Sequence, residues 1–211
     1  LIIEADKGLA FCEETKIMPT KIVGDFDTLG ESLLPKYEAL GVEIRKFNPV
    51  KDATDTEIAV RLAMELGAEE IYILGASQGN RLDHLFGNVL TMMIPAKEEI
   101  PCFMVDEHNR MRILTKSVEL KREEQYGKYI SLVPLTTDVC GVTLSGFKYP
   151  LWDHRFHVES SGSLGISNEL VENVGKIDYL IMEGTTISRI NQEKVFENDL
   201  IKKFKEEFKK N

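Results

Sequence analysis

The sequence predicts an α/β protein: an N-terminal, mostly parallel sheet flanked by helices, then a C-terminal antiparallel β-sandwich and a terminal helix. Up to about residue 106, short apolar runs alternate with amphipathic stretches, the pattern of right-handed βαβ units. Beyond it, short apolar runs recur at close spacing between Gly, Pro, Asn and Asp, with no long helical period before Gln192. The tail carries Phe196, Leu200, Phe204 and Phe208 at i+4 intervals among lysines, one apolar helix face. The 211 residues thus divide into an α/β portion, 1–106, and a β portion with its helix, 107–211.

Taken in order, residues 1–5 and 21–23 are short apolar runs that read as strands. Residues 30–40 read as a helix and 42–47 as a strand. Residues 56–66 place Ile58, Leu62 and Leu66 on one helical face, and Gly67 ends the run. Residues 70–74, EIYIL, suit a buried strand; 81–94 are helical up to Pro95; 102–105 are the next strand. In the second half, strands are expected at 110–114, 128–133, 141–144, 154–158 and 179–182. A charged helix is expected after about Ile187, its Phe stripe packed on the body and its lysines in water. The chain opens without Met on Leu1-Ile2-Ile3, so a leading segment is expected ahead of it.

Hydrophobic residues at 43% and charged residues at 29% describe a soluble globular protein. Lys and Arg number 26 against 35 Asp and Glu, a net charge of −9. No global cationic field exists to hold nucleic acid or an anionic membrane, so a polyanion requires a local device. Cys12, Cys102 and Cys140 are odd in number and widely spaced, which argues against a disulfide framework or a zinc site. No apolar run approaches the ~20 residues of a membrane span, and no signal pattern is visible, so a cytoplasmic location is expected.

The carboxylates fall at strand ends. Asp6 follows the first strand, Asp25 and Asp27 the second, and Asp52 and Asp55 the third. In an open parallel sheet the ligand crevice lies outside the carboxyl ends of the strands. Several carboxylates there repel one another unless a hard divalent cation such as Mg²⁺ joins them, completed by substrate phosphates. Each residue also has a plain structural role to weigh against this: Asp is common in turns, Asp55 favours a helix N-terminus, and Thr54-x-x-Glu57 fits a capping box. The segment from Gly75 through Gln78, Gly79, Arg81, Asp83 and His84 joins a strand to a helix, where free N–H groups and a guanidinium suit phosphate. It matches neither the Walker pattern nor GxGxxG. Trp152 and the Ser167-Asn168 pair suit a flat heteroaromatic ring and its polar atoms, but spacing alone favours core packing for Trp152 and a turn for Ser-Asn.

Together these segments resemble the thiamine pyrophosphokinase family. The matching stretches are Ala5-Asp6-x-Gly8, Gly24-Asp25-Phe26-Asp27-Thr28-Leu29, Thr54-Asp55-Thr56-Glu57 and Gly79-x-Arg81-Leu82-Asp83-His84 with Asn88. They continue with Val105-Asp106-Glu107-x-Asn109, Gly146-Phe147-Lys148-Tyr149-Pro150-Leu151 and Gly165-Ile166-Ser167-Asn168-Glu169, in the family's order. The resemblance implies transfer of the diphosphate of ATP to the hydroxyl of thiamine, giving thiamine diphosphate and AMP, in a homodimer with its sites at the subunit interface. It implies Asp25, Asp27 and Asp55 as Mg²⁺ ligands, and Asp6, Thr54, Gln78, Arg81 and Asp83 as lining the ATP and thiamine sites. Ser167 and Asn168 match the motif that completes the thiamine pocket. Arg81 is expected to stabilise charge, and either Asp55 or Asp83 to accept the hydroxyl proton. Lys7 stands where the family often has a second Gly, and the family usually has a further strand ahead of Leu1. The alternatives are another Mg²⁺-dependent nucleotide-using transferase of DxD type, or a non-catalytic sensor of thiamine or nucleotide.

Overall fold

The computed structural model describes residues 1–6, 8–26, 33–47, 52–136, 138–157, 166–178 and 186–193. Its first unit is a parallel sheet of β1 (Ile3–Ala5), β2 (Lys21–Gly24) and β3 (Glu43–Lys46), in that order. Helix α1 (Gly8–Thr15) links β1 to β2, and α2 (Leu34–Ala39) precedes β3. Leu9, Ile22, Phe26 and Tyr37 close a small core beneath them. Helix α1 is absent from the sequence expectation: its buried face is Leu9, Cys12 and Thr15, too short and too mixed to show a period.

Helix α3 (Asp55–Glu65) follows, and Gly67 takes a left-handed φ of 79° just past its end, as expected. Then come β4 (Ile71–Leu74), α4 (Leu82–Thr91), α5 (Met93–Lys97) and β5 (Cys102–Val105). The expected single helix over 81–94 is two helices, with the break at Met92 and Pro95 inside α5. Proline is tolerated there because the first turn of a helix has no partner for that N–H. Val60 from α3, Val89 and Met92 from the α4 region, and Ile71, Ile73 and Met104 from β4 and β5 form a second core.

The β portion comprises β6 (Asn109–Leu114), β7 (Val118–Lys121), β8 (Gly127–Pro134), β9 (Asp138–Ser145), β10 (Leu151–His157), β11 (Ile166–Asn168), β12 (Val174–Asp178) and β13 (Thr186–Glu193). A six-stranded sheet runs β11-β8-β13-β6-β5-β4, and a four-stranded sheet runs β10-β9-β12-β7. Phe103, Tyr126, Leu132, Leu144, Phe156 and Ile177 belong to the core cluster that the two sheets share, as a sandwich requires. The parallel strands are therefore divided. β4 and β5 pair in parallel, but the tight turn at Asp106–Asn109 folds β6 antiparallel onto β5, and the sheet grows onward into the β portion.

Strand β13 corrects the expected start of the charged helix. It pairs with both β6 and β8 through Asn191, where a helix from Ile187 was expected. The run TISRINQE has only Ile187 and Ile190 as apolar residues, three apart, so no period of two selects a strand. The Phe196, Leu200, Phe204 and Phe208 stripe lies outside the described residues, as do Lys7, Asp27 and the strand expected at 179–182. Among the described residues, no helix is long and apolar enough to cross a membrane.

Candidate active site

The parallel pairing of β1 with β2 sets Ala5 beside Val23, so both strands deliver their next residues to one edge. There the Asp6 amide donates to the Val23 carbonyl at 3.1 Å, and Asp6 takes a positive φ of 46°. Gly24 permits the close passage: a Cβ would stand 3.2 Å from the Phe26 ring and 3.4 Å from the Asp6 backbone. Phe26 is buried in the core below, which anchors the loop and leaves Asp25 half-buried beside it. The exit of β3 is tied to the same place, since the Phe47 amide donates to the Gly24 carbonyl at 2.9 Å.

Thr54 is the N-cap of α3, its Oγ1 accepting from the Glu57 amide at 3.2 Å. The reciprocal half of the capping box is not made: Glu57 accepts instead from Arg61 Nε at 2.8 Å, one turn on. Asp55 is the first helical residue, half-buried at the positive end of the α3 dipole. Among the described residues, no group of three or more His, Cys, Asp or Glu gathers to hold a metal.

The loop from Gly75 to Arg81 joins β4 to α4, with positive φ at Gly75 and Gly79. Two half-buried anchors hold it, neither given a task in the sequence reading. Ser77 Oγ donates to Asp106 Oδ2 at 2.6 Å, and Asn88 Nδ2 donates to the Ala76 carbonyl at 2.9 Å. Asp106 also accepts from the amides of His108 and Asn109, so one carboxylate fixes both this loop and the β5–β6 turn. The only advance signal was that Asp106, Asn109 and Asn88 fall in the matched motifs. Gln78 is exposed. Arg81 and Asp83, both exposed at the start of α4, form a two-pronged ion pair, with Nε donating to Oδ1 at 3.1 Å and Nη2 to Oδ2. The Arg81 guanidinium holds the Asp83 carboxyl below its usual range, and Asp83 raises Arg81.

One buried acid was not anticipated. Glu4, in the middle of β1, is 8% exposed, and its Oε2 has no hydrogen-bond partner among the described residues. Burial, reinforced by the charge of Asp6, pushes its pKa up to about 8. Its Oε1 stands 1.8 Å from where a Gly8 Cβ would be, so a side chain at the start of α1 would have to displace the Glu4 carboxyl.

In the β portion, Ser167 is exposed on β11 while Asn168 beside it is 2% exposed, as strand alternation dictates. Trp152 corrects an expectation: it is 74% exposed, not core. It lies on β10, at the edge of the four-stranded sheet, where Phe156 takes the inward position. Tyr149, in the turn before β10, is 56% exposed.

Comparison with known proteins agrees with this layout. A family profile described as "Thiamin pyrophosphokinase, catalytic domain" matches residues 1–104, and one described as "Thiamin pyrophosphokinase, vitamin B1 binding domain" matches 115–179. The thiamine pyrophosphokinase of Bacillus subtilis is 30% identical over 179 residues, 85% of this chain and 82% of that protein. A crystal structure of the enzyme from that organism superposes with a TM-score of 0.79 at 29% identity, covering 91% of this chain and 87% of the other. The thiamin pyrophosphokinase of Geobacillus thermodenitrificans gives a TM-score of 0.77 at 30% identity, over 90% and 86%. With two matched domains in order, a shared fold and acidic strand ends where the motifs lie, the chain belongs to the thiamine pyrophosphokinase family.

Proposed function

We propose that the edge carrying Asp6 and Asp25, with Asp55 at the start of α3, binds ATP with Mg²⁺, and that the β portion around Ser167 and Tyr149 holds thiamine. The activity, pyrophosphorylation of thiamine, follows from the family. The thiamine hydroxyl oxygen bonds to the β-phosphorus as the bond from that phosphorus to the bridging α,β-oxygen breaks; a carboxylate of the site takes the hydroxyl proton, AMP leaves and thiamine diphosphate forms. The observation that carries the site assignment is the convergence of the β1 and β2 ends, with Asp6 and Asp25, on one edge. Residues 1–106 supply the ATP side and 107–211 the thiamine side.

The donor set suits Mg²⁺. Asp25 and Asp55, with Asp27, offer hard oxygens, and Mg²⁺ keeps waters and phosphate oxygens in its remaining positions, so a complete protein cage is not required. When bound, Mg²⁺ neutralises phosphate charge and orients the transferred group. Arg81 supplies a second cation at the mouth of the Gly75–Arg81 loop, and Asp83 orients it. Held below its usual range by that pairing, Asp83 is a poor proton acceptor. Gln78, exposed on the same loop, and Thr54, at the α3 N-cap, border the ligand rather than react with it.

A homodimer is supported by α4, which leaves Leu82, Phe86 and Leu90 exposed at i, i+4 and i+8, a stripe that begins beside Arg81 and Asp83. Buried thiols at Cys12 and Cys102, with no disulfide among the described residues, suit the reducing cytoplasm.

The test is a product assay on protein of measured mass. Incubation with ATP, Mg²⁺ and thiamine is expected to yield AMP and thiamine diphosphate in equal amounts from a species of two chains. Formation of ADP, or no turnover, overturns the reaction; an active single chain overturns the dimer.

A further inference from the structure

We propose that Asn168 is a positioning residue: it clamps the Tyr149 main chain so that the Tyr149 ring faces thiamine, and it touches no ligand itself. The proposal rests on reading this face as the thiamine side of the site, but assigns Asn168 a different task from the ligand contact that the resemblance implies.

The geometry is that of a peptide group borrowed from a side chain. Asn168 Oδ1 accepts from the Tyr149 amide at 3.0 Å, and Asn168 Nδ2 donates to the Tyr149 carbonyl at 2.7 Å. One carboxamide thus satisfies both main-chain groups of one residue, as an opposed residue does in an antiparallel ladder. Oδ1 also accepts from the Glu169 amide at 2.9 Å, which fills both of its lone pairs. With the residue 2% exposed, no acceptor capacity and almost no surface remain for a ligand.

The clamp extends a staple already begun by the main chain. The Lys148 amide donates to the Glu169 carbonyl at 2.9 Å, and Phe147 bridges to Leu170. At the head of the turn Gly146 has φ +78°, and a Cβ there would stand 2.4 Å from the Val174 carbonyl oxygen. A turn this closely seated has one place for Tyr149, and that place leaves the residue 56% exposed. An exposed, rigidly held aromatic face suits a flat cationic ring such as thiamine's thiazolium. Lys148 Nζ already lies 5.5 Å from the Tyr149 ring centre, so the ring accepts a cation in this geometry.

The test is a double-mutant cycle on the full-length enzyme, reading the KM of each substrate, kcat, and thiamine binding by calorimetry. Asn168→Ala and Tyr149→Ala are each expected to raise the thiamine KM about tenfold, with kcat and the ATP KM within about threefold. The double variant is expected to be no worse than Tyr149→Ala alone, because Asn168 acts through Tyr149. Additive effects, or a wild-type thiamine KM in Tyr149→Ala, overturn the proposal. If Asn168→Ala does not fold, Asn168→Asp takes its place. That variant keeps both bonds to amides and sets an oxygen against the Tyr149 carbonyl, so it is expected to raise the thiamine KM as well; an unchanged value overturns the clamp. Wild-type turnover reports separately on the reaction, and calorimetry reads the cycle without it.

Discussion

Asp83 and Asn168 are both short polar side chains beside a turn, yet the two halves of the molecule use them in opposite ways. Asp83 stands exposed at the start of α4, bonded to one exposed partner, Arg81. Asn168 is sealed in the β portion with three bonds, all to main-chain groups. Asp106 shares the second pattern in part: it is buried and fixes two turns, accepting the amides of His108 and Asn109 but also the side chains of Ser77 and Asn109. On the roles proposed above, the difference separates groups that meet a ligand from groups that place others. A polar atom satisfied by its own chain is costly to disturb and has little left to offer, whereas one whose partners are side chains and water exchanges them for substrate at small cost.

The sharpest break of this contrast comes at the proposed ligand edge. Asp55→Asn removes one charge at the start of α3 and leaves the Thr54 cap in place. Turnover is expected to fall by about 10²–10³-fold, the usual loss when a preorganised electrostatic group is removed. The denaturation midpoint is expected to move little, because a half-buried Asp at a helix N-terminus contributes only ~0.3–1 kcal/mol through the dipole. Steady-state rates beside thermal melts check this. A variant that melts early and retains turnover would put Asp55 in the class of Asn168.

The same contrast explains what could be read in advance. Strands with dense apolar runs, such as Cys102–Val105, and the acidic strand ends were legible, because burial on both faces and position after a strand leave marks in the chain. Strand β13 was not: it is central, but its two isoleucines are three apart, and hydrogen bonds to β6 and β8 hold it where pattern does not. Trp152 was misplaced because one aromatic at a strand start fits either face; only the register of β10 on β9 decides. Asn168 stood inside a matched motif, yet no spacing rule says which neighbour's main chain a carboxamide will bind.

Glu4 tests the buried side of the comparison where satisfaction is missing. Its folded pKa of about 8 lies above the ordinary 4.5. The neutral acid is thus favoured in the fold, while the unfolded chain ionises from about pH 4.5 upward. The stability that protonated Glu4 contributes is full below that ordinary value and is lost as pH rises through about 8. Glu4→Gln cannot ionise but buries an amide with unmet donors. It is therefore expected to be no more stable than the parent near about pH 5 and more stable near about pH 9, by on the order of 1–3 kcal/mol. Denaturant midpoints of both chains across that range check it. Parallel pH dependences would mean that Glu4 is charged and partnered throughout.

Thr54 crosses the line between the two classes and sets the smallest effect. It is exposed, and it lies among residues assigned to the ligand edge, yet its hydroxyl oxygen accepts from the Glu57 main-chain amide. By partners it belongs with Asn168; by exposure it belongs with Asp83. Thr54→Ala removes the cap and is expected to cost ~1 kcal/mol of stability. Thr54→Ser keeps a hydroxyl oxygen at the same place and is expected to recover most of that. If capping is its whole task, turnover falls only as far as fraying of the first α3 turn displaces Asp55, and the Ser variant restores rate and melting point together. A Ser variant that melts like the parent but keeps a raised KM for ATP would show that the threonine also meets the nucleotide. Exposure would then rank above partner type in deciding which polar groups reach a ligand.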